Sequence, residues 1–427
     1  MVPLSENPSA AFGTLAGDHA GIALGRAIVA RLDELAGITD EPGVLTRLYL
    51  GPAHRRAVDL VSSWMTEAGM QVSLDGLGSL IGRYEGTTPK APALVIGSHI
   101  DTVRNAGRFD GNLGVVTALE VVRSLHRRGH RYPLAIEVVA FGDEEGVRFA
   151  STLGGSRAMA GRFDAATLDE RDSAGVSRRE ALASFGCDVA TIPRSARSPA
   201  DTLGYVEVHI EQGPVLEASG LAIGVVTAIN GASRGTVALT GKASHAGTTP
   251  MDLRSDALAA AAEIILMVER RAREQPGLVA TVGHIETPGG AVNTVPGKVR
   301  LTLDLRSPFD AQREAALGAI TRDIRAIARA RGIGCDIAMS YEAPAAPCDA
   351  GLSARLAASA GRCGVPYTSL PSGAGHDAMA FRGVLPFAML FVRCRDGLSH
   401  HPDEFAAADD IDVAARVLAD FLDHLAT

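Results

Sequence analysis

The stretch "LAIEVVAFGDEEG", residues 134–146, runs from a mostly apolar segment into three consecutive acids. The apolar part predicts a strand inside a sheet, because a short continuous apolar run suits a strand that is covered on both faces. Asp143, Glu144 and Glu145 then stand where this strand ends. They form either a solvated turn or a set of carboxylates that a functional site needs.

Strands alternate with helices on both sides of this stretch. "PALVIGSHID" (92–101) predicts another buried strand, whereas "HRRAVDLVSSWMTEAG" (54–69) and "GVVTALEVVRSLHRRG" (114–129) place apolar residues at helical spacing. This alternation predicts an α/β fold whose sheet is covered by helices on both faces. Such sheets bind ligands at the carboxyl ends of their strands, where "GSHID" and "FGDEEG" both lie.

The pattern changes from about residue 231. "RGTVALTG", "GLVATVGHIE", "GKVRLTLDLR" and "CDIAMSYEA" predict strands, and two long helical segments are interspersed among them. The resulting β-α-β-β-α-β succession is the order of a ferredoxin-like split βαβ sandwich. The Pro-rich "EAPAAPCD" (342–349) predicts a return linker, after which helical and strand patterns of the first kind resume.

We therefore predict two domains. An α/β catalytic domain with a mixed sheet comprises residues 1–228 and 346–427, and a smaller domain, residues 229–345, is inserted into it. A chain of 427 residues is long enough for more than one hydrophobic core.

Composition excludes several classes of protein. A net charge of -8 without a basic stripe argues against a nucleic-acid partner. No segment approaches the ~20 apolar residues of a membrane span, so no membrane partner is expected. The five cysteines are scattered and odd in number, which fits reduced thiols in a cytoplasmic protein and excludes a zinc ribbon.

Histidines and acids recur at predicted junctions of strand and loop. Together they favour a pair of divalent ions, because imidazole and carboxylate ligands suit zinc, manganese, cobalt or nickel. One carboxylate can bridge two ions ~3.5–4 Å apart, and adjacent acids can divide the roles of ligand and general base. The segments are "GSHIDTV" (His99, Asp101), "GRFDGNLG" (Asp110), "FGDEEG" (Glu144, Glu145), "VEVHIEQG" (His209, Glu211) and "LSHHPDEF" (His400, His401).

These segments, with "GKASHAGTTPM", "NTVPGKVRLTLDLR" and "GAGHDAM", resemble the dimetal M20 peptidase superfamily. They follow the family's order from about residue 95 to 405. His209 stands where peptidase relatives carry an acid, so the chain resembles the amidase/hydantoinase–carbamoylase branch. That resemblance implies a zinc-exopeptidase-like catalytic domain, and an inserted domain that acts as a lid and forms a homodimer.

The resemblance also implies a role for each matching residue. Asp110 is expected to bridge two metal ions and Glu144 to act as the general base, with Asp101 orienting His99. The register of "SH-x-P-x-E" favours His400 over His401 as a ligand. The remaining expected ligands are His99 and His209 on one ion and Glu145 and His400 on the other. The residues expected to bind substrate or stabilise the developing oxyanion are Gln212, His245, Asn293, Arg306 and His376, and His245 is also expected to be catalytic.

The activity implied is hydrolysis of a non-peptide C–N bond in a small ureido substrate that carries a carboxylate. An N-carbamoyl-L-amino acid is the first candidate, and allantoate is the alternative within the same chemistry. An M20-type aminoacylase or dipeptidase, or a non-catalytic amino-acid-binding protein, are further alternatives. "GASRG" (231–235) matches a serine-hydrolase motif, but a strand follows Ser233 where that motif requires a helix.

Overall fold

The computed structural model describes residues 24–425, and no helix in that range is long and apolar enough to cross a membrane. The α-helices are α1 Leu24–Ala36, α2 Pro52–Glu67, α3 Asn112–Arg127, α4 Gly154–Met159, α5 Arg178–Phe185, α6 Val215–Ala218, α7 Ala257–Arg273, α8 Asp310–Ala330, α9 Ala350–Arg362 and α10 Ala408–Leu425. Short 3-10 helices span Ala165–Asp169, Val189–Ser195, Met251–Leu253, Asp377–Phe381 and Arg395–Gly397. The strands are β1 Gln71–Leu74, β2 Leu80–Tyr84, β3 Ala93–His99, β4 Ala135–Phe141, β5 Thr202–Ile210, β6 Ile223–Ile229, β7 Gly231–Thr240, β8 Ser244–His245, β9 Val279–Thr281, β10 Ile285–Glu286, β11 Thr294–Val295, β12 Lys298–Ser307, β13 Gly334–Ala343, β14 Ala346–Pro347, β15 Tyr367–Ser372 and β16 Phe387–Val392.

The first sheet has nine strands in the order β1-β2-β4-β3-β5-β16-β6-β14, with β15 beside β6. Its centre is parallel, since β3 runs parallel to β4 and β5, and β16 runs parallel to β5. Strands β1 and β2 are antiparallel at one edge, and β6 is antiparallel to β16. The predicted mixed α/β sheet is therefore confirmed.

Both faces of this sheet are buried, as the apolar runs predict. In β3, Leu94 and Ile96 belong to one hydrophobic cluster, whereas Val95 between them belongs to another. Successive side chains of a strand point to opposite faces, so each cluster covers one face of the sheet. Every residue of β3 and of β4 is buried in consequence.

The second sheet is antiparallel, in the order β10-β12-β7-β13, with β9 beside β12. Helices α7 and α8 pack on it around a separate hydrophobic cluster. The order agrees with the β-α-β-β-α-β succession, although the strand expected in "GLVATVGHIE" is divided into β9 and β10.

The chain leaves the first sheet and returns to it at neighbouring positions. Strand β6 ends at Ile229, and Ala346 of β14 pairs with that same residue. The predicted return linker therefore contains a short strand. Both connections to the second sheet lie side by side, which suits an inserted domain, while the domain boundaries and the role as a lid stay predictions.

Candidate metal centre

The expected metal ligands meet at one edge of the first sheet. The neighbouring strands β4, β3, β5 and β16 are parallel, so their carboxyl ends lie at the same edge. His99 is the last residue of β3, and His209 lies near the end of β5. Glu144 and Glu145 follow β4, and His400 follows β16. Residues far apart in sequence are thus brought together by strand order.

The two carboxylate oxygens of Asp110 face different ligands. Oδ1 lies 3.1 Å from Nε2 of His209 and 3.6 Å from Nε2 of His99. Oδ2 lies 3.2 Å from Nε2 of His400, and that nitrogen is 3.6 Å from Oε2 of Glu145. The structure therefore forms two possible metal-binding groups that share Asp110. A carboxylate in this position can bridge two ions.

Backbone carbonyls fix the tautomers of two of the histidines. Nδ1 of His99 lies 3.0 Å from the carbonyl oxygen of Asp101, and Nδ1 of His209 lies 2.9 Å from that of Ile210. A carbonyl oxygen only accepts, so the Nδ1 atoms carry the protons. The Nε2 atoms face Asp110, and they are the ring nitrogens left to bind a metal ion.

Gly111 makes room for the His99 ring. It has a φ of +65°, and a β-carbon at this position would lie 2.4 Å from ring atoms of His99. Any other residue would displace that ring, in addition to straining the backbone. The glycine of "FDG" therefore has a steric reason to follow Asp110.

Asp101 orients the acidic loop as well as the histidine. Its carboxylate accepts hydrogen bonds from the backbone N–H groups of Glu144 at 3.3 Å and Glu145 at 3.2 Å. The carboxylate itself lies 3.6 Å from Nδ1 of His99, so the Asp101 carbonyl rather than the carboxylate accepts the ring proton. Asp101 therefore orients His99 through its main-chain carbonyl, and it orients the acidic loop through its carboxylate.

The acids of "FGDEEG" do not form a solvated turn. Asp143 is buried with a φ of +69°, and its Oδ2 lies 2.8 Å from Nη1 of the buried Arg178. Glu144 remains close to the cluster, with Oε2 3.9 Å from Nε2 of His99. Glu144 also falls within metal-binding reach together with His99 and Glu145. The division of roles between the two glutamates therefore stays a prediction.

Burial raises the pKa of Glu144 well above its ordinary range, and the neighbouring Glu145 raises it further. Burial also raises the pKa of Glu145 to about 7, with Asp110 adding to the effect. A nearby cation lowers a carboxylate pKa again. A base whose pKa lies near the working pH can both take up and return a proton.

The donor set fits divalent metal ions. A hydrogen bond with Asp110 raises the pKa of His400 to about 9. Burial lowers the pKa of His99 and of His209, but the neighbouring carboxylates, Asp101 and Asp110 for His99 and Asp110 for His209, outweigh it and the pKa of each is raised. A site that favours protonated imidazoles attracts positive charge, and divalent ions can replace those protons.

His400 and its neighbour give a paired test of the ligand assignment. His400 contacts Asp110, whereas Nδ1 of the exposed His401 accepts a hydrogen bond from the backbone N–H of Asp403. We expect His400→Ala to lose bound metal, because an imidazole ligand is removed, and His401→Ala to retain it. Metal content after dialysis measures both variants. Metal loss in His401→Ala with retention in His400→Ala would reverse the assignment.

Two of the expected substrate-binding residues lie beside the cluster. Nε2 of Gln212 donates to Oδ2 of Asp110 at 3.0 Å. The buried His376 ring packs edge-on against His209, with ring centroids 4.5 Å apart, and its Nε2 lies 2.7 Å from Oγ of Ser372. Gln212 and His376 therefore lie next to Asp110 and His209, and their roles in binding substrate stay predictions.

The other three expected substrate-binding residues, His245, Asn293 and Arg306, do not lie beside the cluster of their own chain. His245 and Asn293 are exposed on the second domain, where Asn293 accepts a hydrogen bond from the residue after His245. Arg306 donates to both carboxylate oxygens of Asp304 and to the carbonyl of Gly373. It lines a separate cavity of about 630 Å³. Their substrate roles stay predictions.

Glu404 is a supporting residue that the sequence did not single out. Its Oε1 accepts hydrogen bonds from the backbone N–H groups of Phe109 at 2.8 Å and Asp110 at 3.0 Å. Its Oε2 accepts one from Oγ of Ser399 at 3.0 Å. Glu404 thereby connects Asp110 to the loop that carries His400. Its position within "HPDEF" was the available sequence signal.

Arg47 is a second supporting residue that the sequence did not single out, and it is fully buried. Nε donates to the carbonyl of Ile100 at 2.6 Å, and Nη2 donates to Oδ1 of Asn112 at 2.6 Å. The amide of Asn112 in turn donates to the carbonyl of Asp110 at 3.0 Å. Arg47 therefore holds together the two loops that bear His99 and Asp110.

Replacing Arg47 by Met should lower the free energy of unfolding by about 3–5 kcal/mol, because buried acceptors lose their donor. Arg56→Met is the matched control, since Arg56 is exposed and makes one backbone hydrogen bond at 2.9 Å. Urea unfolding of both variants measures the difference. Equal stability of the two variants would contradict the bridging role of Arg47.

Ser233 is not placed as a nucleophile. It is the third residue of β7 and is buried opposite Leu305 of β12, and its hydroxyl accepts a hydrogen bond from Arg313. A serine nucleophile needs an exposed turn between a strand and a helix. The motif match in "GASRG" therefore does not mark a nucleophile, and Ser233 is a structural residue of the strand.

Known proteins resemble this chain in sequence and in structure. The family model described as Peptidase family M20/M25/M40 matches residues 95–424. N-carbamoyl-L-amino acid amidohydrolase of Geobacillus stearothermophilus is 42% identical, over 91% of this chain and 95% of the relative. Allantoate deiminase 1 of Glycine max is 40% identical, over 93% and 89% respectively. The crystal structure of an amidase of the hydantoinase/carbamoylase family from Burkholderia multivorans superposes with a TM-score of 0.90 at 35% identity, covering 94% of this chain and 98% of that one.

Proposed function

Since this chain belongs to peptidase family M20/M25/M40, we propose that it hydrolyses the ureido C–N bond of N-carbamoyl-L-amino acids. The products are the amino acid, ammonia and carbon dioxide. The observation that carries the proposal is the position of Asp110 between two ligand groups, with Glu144 close by. The names of relatives such as the amidohydrolase of Geobacillus stearothermophilus support a ureido substrate.

Two divalent ions, one held by His99 and His209 and one by Glu145 and His400, would activate a water and polarise the ureido carbonyl. Zinc or manganese suits this donor set, and cobalt or nickel is compatible with it.

Glu144 takes a proton from the attacking water at its carboxylate and returns it to the departing nitrogen. Asp101 keeps the Glu144 backbone in place through the hydrogen bond to its N–H group. The amide N–H groups of Gln212 already donate to Asp110 and Ser399. Its buried Oε1 has no partner among the described residues and would accept a hydrogen bond from the substrate.

Residues of the second domain complete the substrate site in this proposal. His245 would stabilise the developing oxyanion, and Asn293 and Arg306 would hold the substrate carboxylate. Because His245 and Asn293 are exposed on their own chain, we propose that they act in a homodimer, on the active site of the partner. Closure of the second domain would align the carbonyl and exclude water.

Exposed apolar side chains support a subunit interface on the second domain. Met251, Leu253, Leu266 and Val292 are all strongly exposed there. Met251 and Leu253 lie in one 3-10 helix, and a patch of exposed apolar side chains is typical of interaction surfaces. The five cysteines are unpaired, which supports a reducing compartment, and we propose the cytoplasm.

Allantoate is the second candidate substrate. The plant relatives named allantoate deiminase match this chain at nearly the same identity as those named amidohydrolase. Allantoate also combines a carboxylate with ureido groups, so it suits the same cluster.

Ammonia release from N-carbamoyl-L-amino acids and from allantoate, with and without a chelator, tests the function. We expect release from at least one ureido substrate, and loss of that release when the chelator removes metal. Release that resists the chelator would overturn the dimetal mechanism. No release from any ureido substrate by metal-loaded protein would favour an aminoacylase, a dipeptidase or a binding protein.

A further inference from the structure

The cavity that contains the cluster also has a cationic part. Its volume is about 640 Å³, which exceeds what a ureido group alone occupies. Arg157, Arg162 and Arg382 line it together with the metal-binding side chains. We call these three residues the arginine group.

No carboxylate of residues 24–425 lies within ion-pair distance of the arginine group. Arg234, the fourth arginine that lines the cavity, does form an ion pair, since its Nε lies 3.0 Å from Oδ2 of Asp304. The three side chains of the arginine group are exposed, and within residues 24–425 none of them is paired with a carboxylate.

Backbone contacts hold the arginine group as one unit. The N–H of Arg162 donates to the carbonyl of Arg157 at 2.7 Å, in the turn that ends α4. Nη1 of Arg162 donates to the carbonyl of Arg382 at 2.6 Å. Three guanidinium groups from two segments of the chain are therefore presented to one space.

Uncompensated cations in a concave site concentrate anions there. The planar guanidinium group matches a carboxylate by two parallel hydrogen bonds, so a carboxylate is the best-fitting ligand. The carboxylate shared by all N-carbamoyl amino acids is already assigned to Asn293 and Arg306, and neither of them lines this cavity. The arginine group is thus free to recognise a different anionic group.

We propose that the arginine group binds a second carboxylate, on the side chain of the substrate. The preferred substrates are then N-carbamoyl derivatives of acidic amino acids. This inference rests on the proposed function, because it names the substrate class of the same site.

Kinetics with two side chains of equal size test the inference. N-carbamoyl-L-glutamate and N-carbamoyl-L-glutamine differ in the charge of the side chain alone. On the metal-loaded enzyme we expect kcat/KM to be at least about tenfold higher for the glutamate derivative, as one charge-assisted contact provides. Arg157→Gln and Arg382→Gln should reduce this ratio, whereas Arg194→Gln, at an exposed arginine outside the cavity, should preserve it.

Equal kcat/KM for the two substrates would overturn the inference. An equal loss on both substrates in Arg157→Gln would also overturn it, because the group would then bind the carboxylate common to both.

A binding measurement separates this inference from the proposed function. Titration calorimetry should show that glutarate binds the metal-loaded enzyme more tightly than butyrate does, and that Arg157→Gln removes the difference. If glutarate binds more tightly than butyrate but no ureido substrate is hydrolysed, the proposed function is contradicted and the second-carboxylate site is not. Equal binding of glutarate and butyrate would contradict the second-carboxylate site.

Discussion

The Glu144→Gln variant is expected to lose kcat by about 10³-fold while keeping its bound metal. Glutamine has the shape of glutamate but cannot take up a proton, so the attacking water loses its base. The backbone hydrogen bond between Asp101 and residue 144 does not depend on the side chain and should persist. Steady-state kinetics and metal analysis of the same preparation measure both effects.

The adjacent Glu145→Gln variant is the control for this experiment. Glu145 lies 3.6 Å from Nε2 of His400, and replacing it should reduce metal content because a ligand is lost. Near-normal turnover by Glu144→Gln would contradict its role as the base. Metal loss by Glu144→Gln, with metal retained by Glu145→Gln, would exchange the roles of the two neighbours.

The second large effect is expected for Asp110→Asn. An amide nitrogen cannot ligate a cation, so the variant can no longer connect the group containing His209 with the group containing His400. The affinity for both ions should fall by more than the roughly 10–100-fold that loss of a ligand's hydrogen-bond partner costs. Metal stoichiometry and ammonia release measure the change.

Asp169→Asn serves as its control, because the Asp169 side chain is 79% exposed and only approaches Arg179 at 3.5 Å. It should leave metal content and activity unchanged. If Asp110→Asn retained two ions and the activity of this control, Asp110 would not be the bridging residue.

The metal cluster could be predicted because its signals are local. His99 and His209 lie at or near the ends of β3 and β5 and Glu145 follows β4, and parallel neighbours place those ends at one edge. The strand pattern therefore predicts that His99 and Glu145 lie close together, whereas their roles as ligands come from the family resemblance and stay predictions. The separate core of the second sheet was predictable for the same reason, from its own succession of helices and strands.

Other parts of the site depend on contacts between distant segments. Arg47 acts through backbone carbonyls, which carry no sequence signature, and it lies outside the motifs that carry the resemblance. The arginine group depends on how α4 packs near Arg382, which a local pattern does not specify. His245 and Arg306 lie on the second domain, so their distance from the cluster depends on the arrangement of domains and subunits.

The order of strands in the first sheet has a consequence for biosynthesis. The five strands of the second sheet come from one continuous segment, residues 231–343, so this sheet can form as soon as that segment leaves the ribosome. Strand β16 lies between β5 and β6, and it is translated only after the whole inserted segment. Since His400 and Glu404 are translated later still, we expect the nascent chain to acquire its metal ions after the inserted domain has folded.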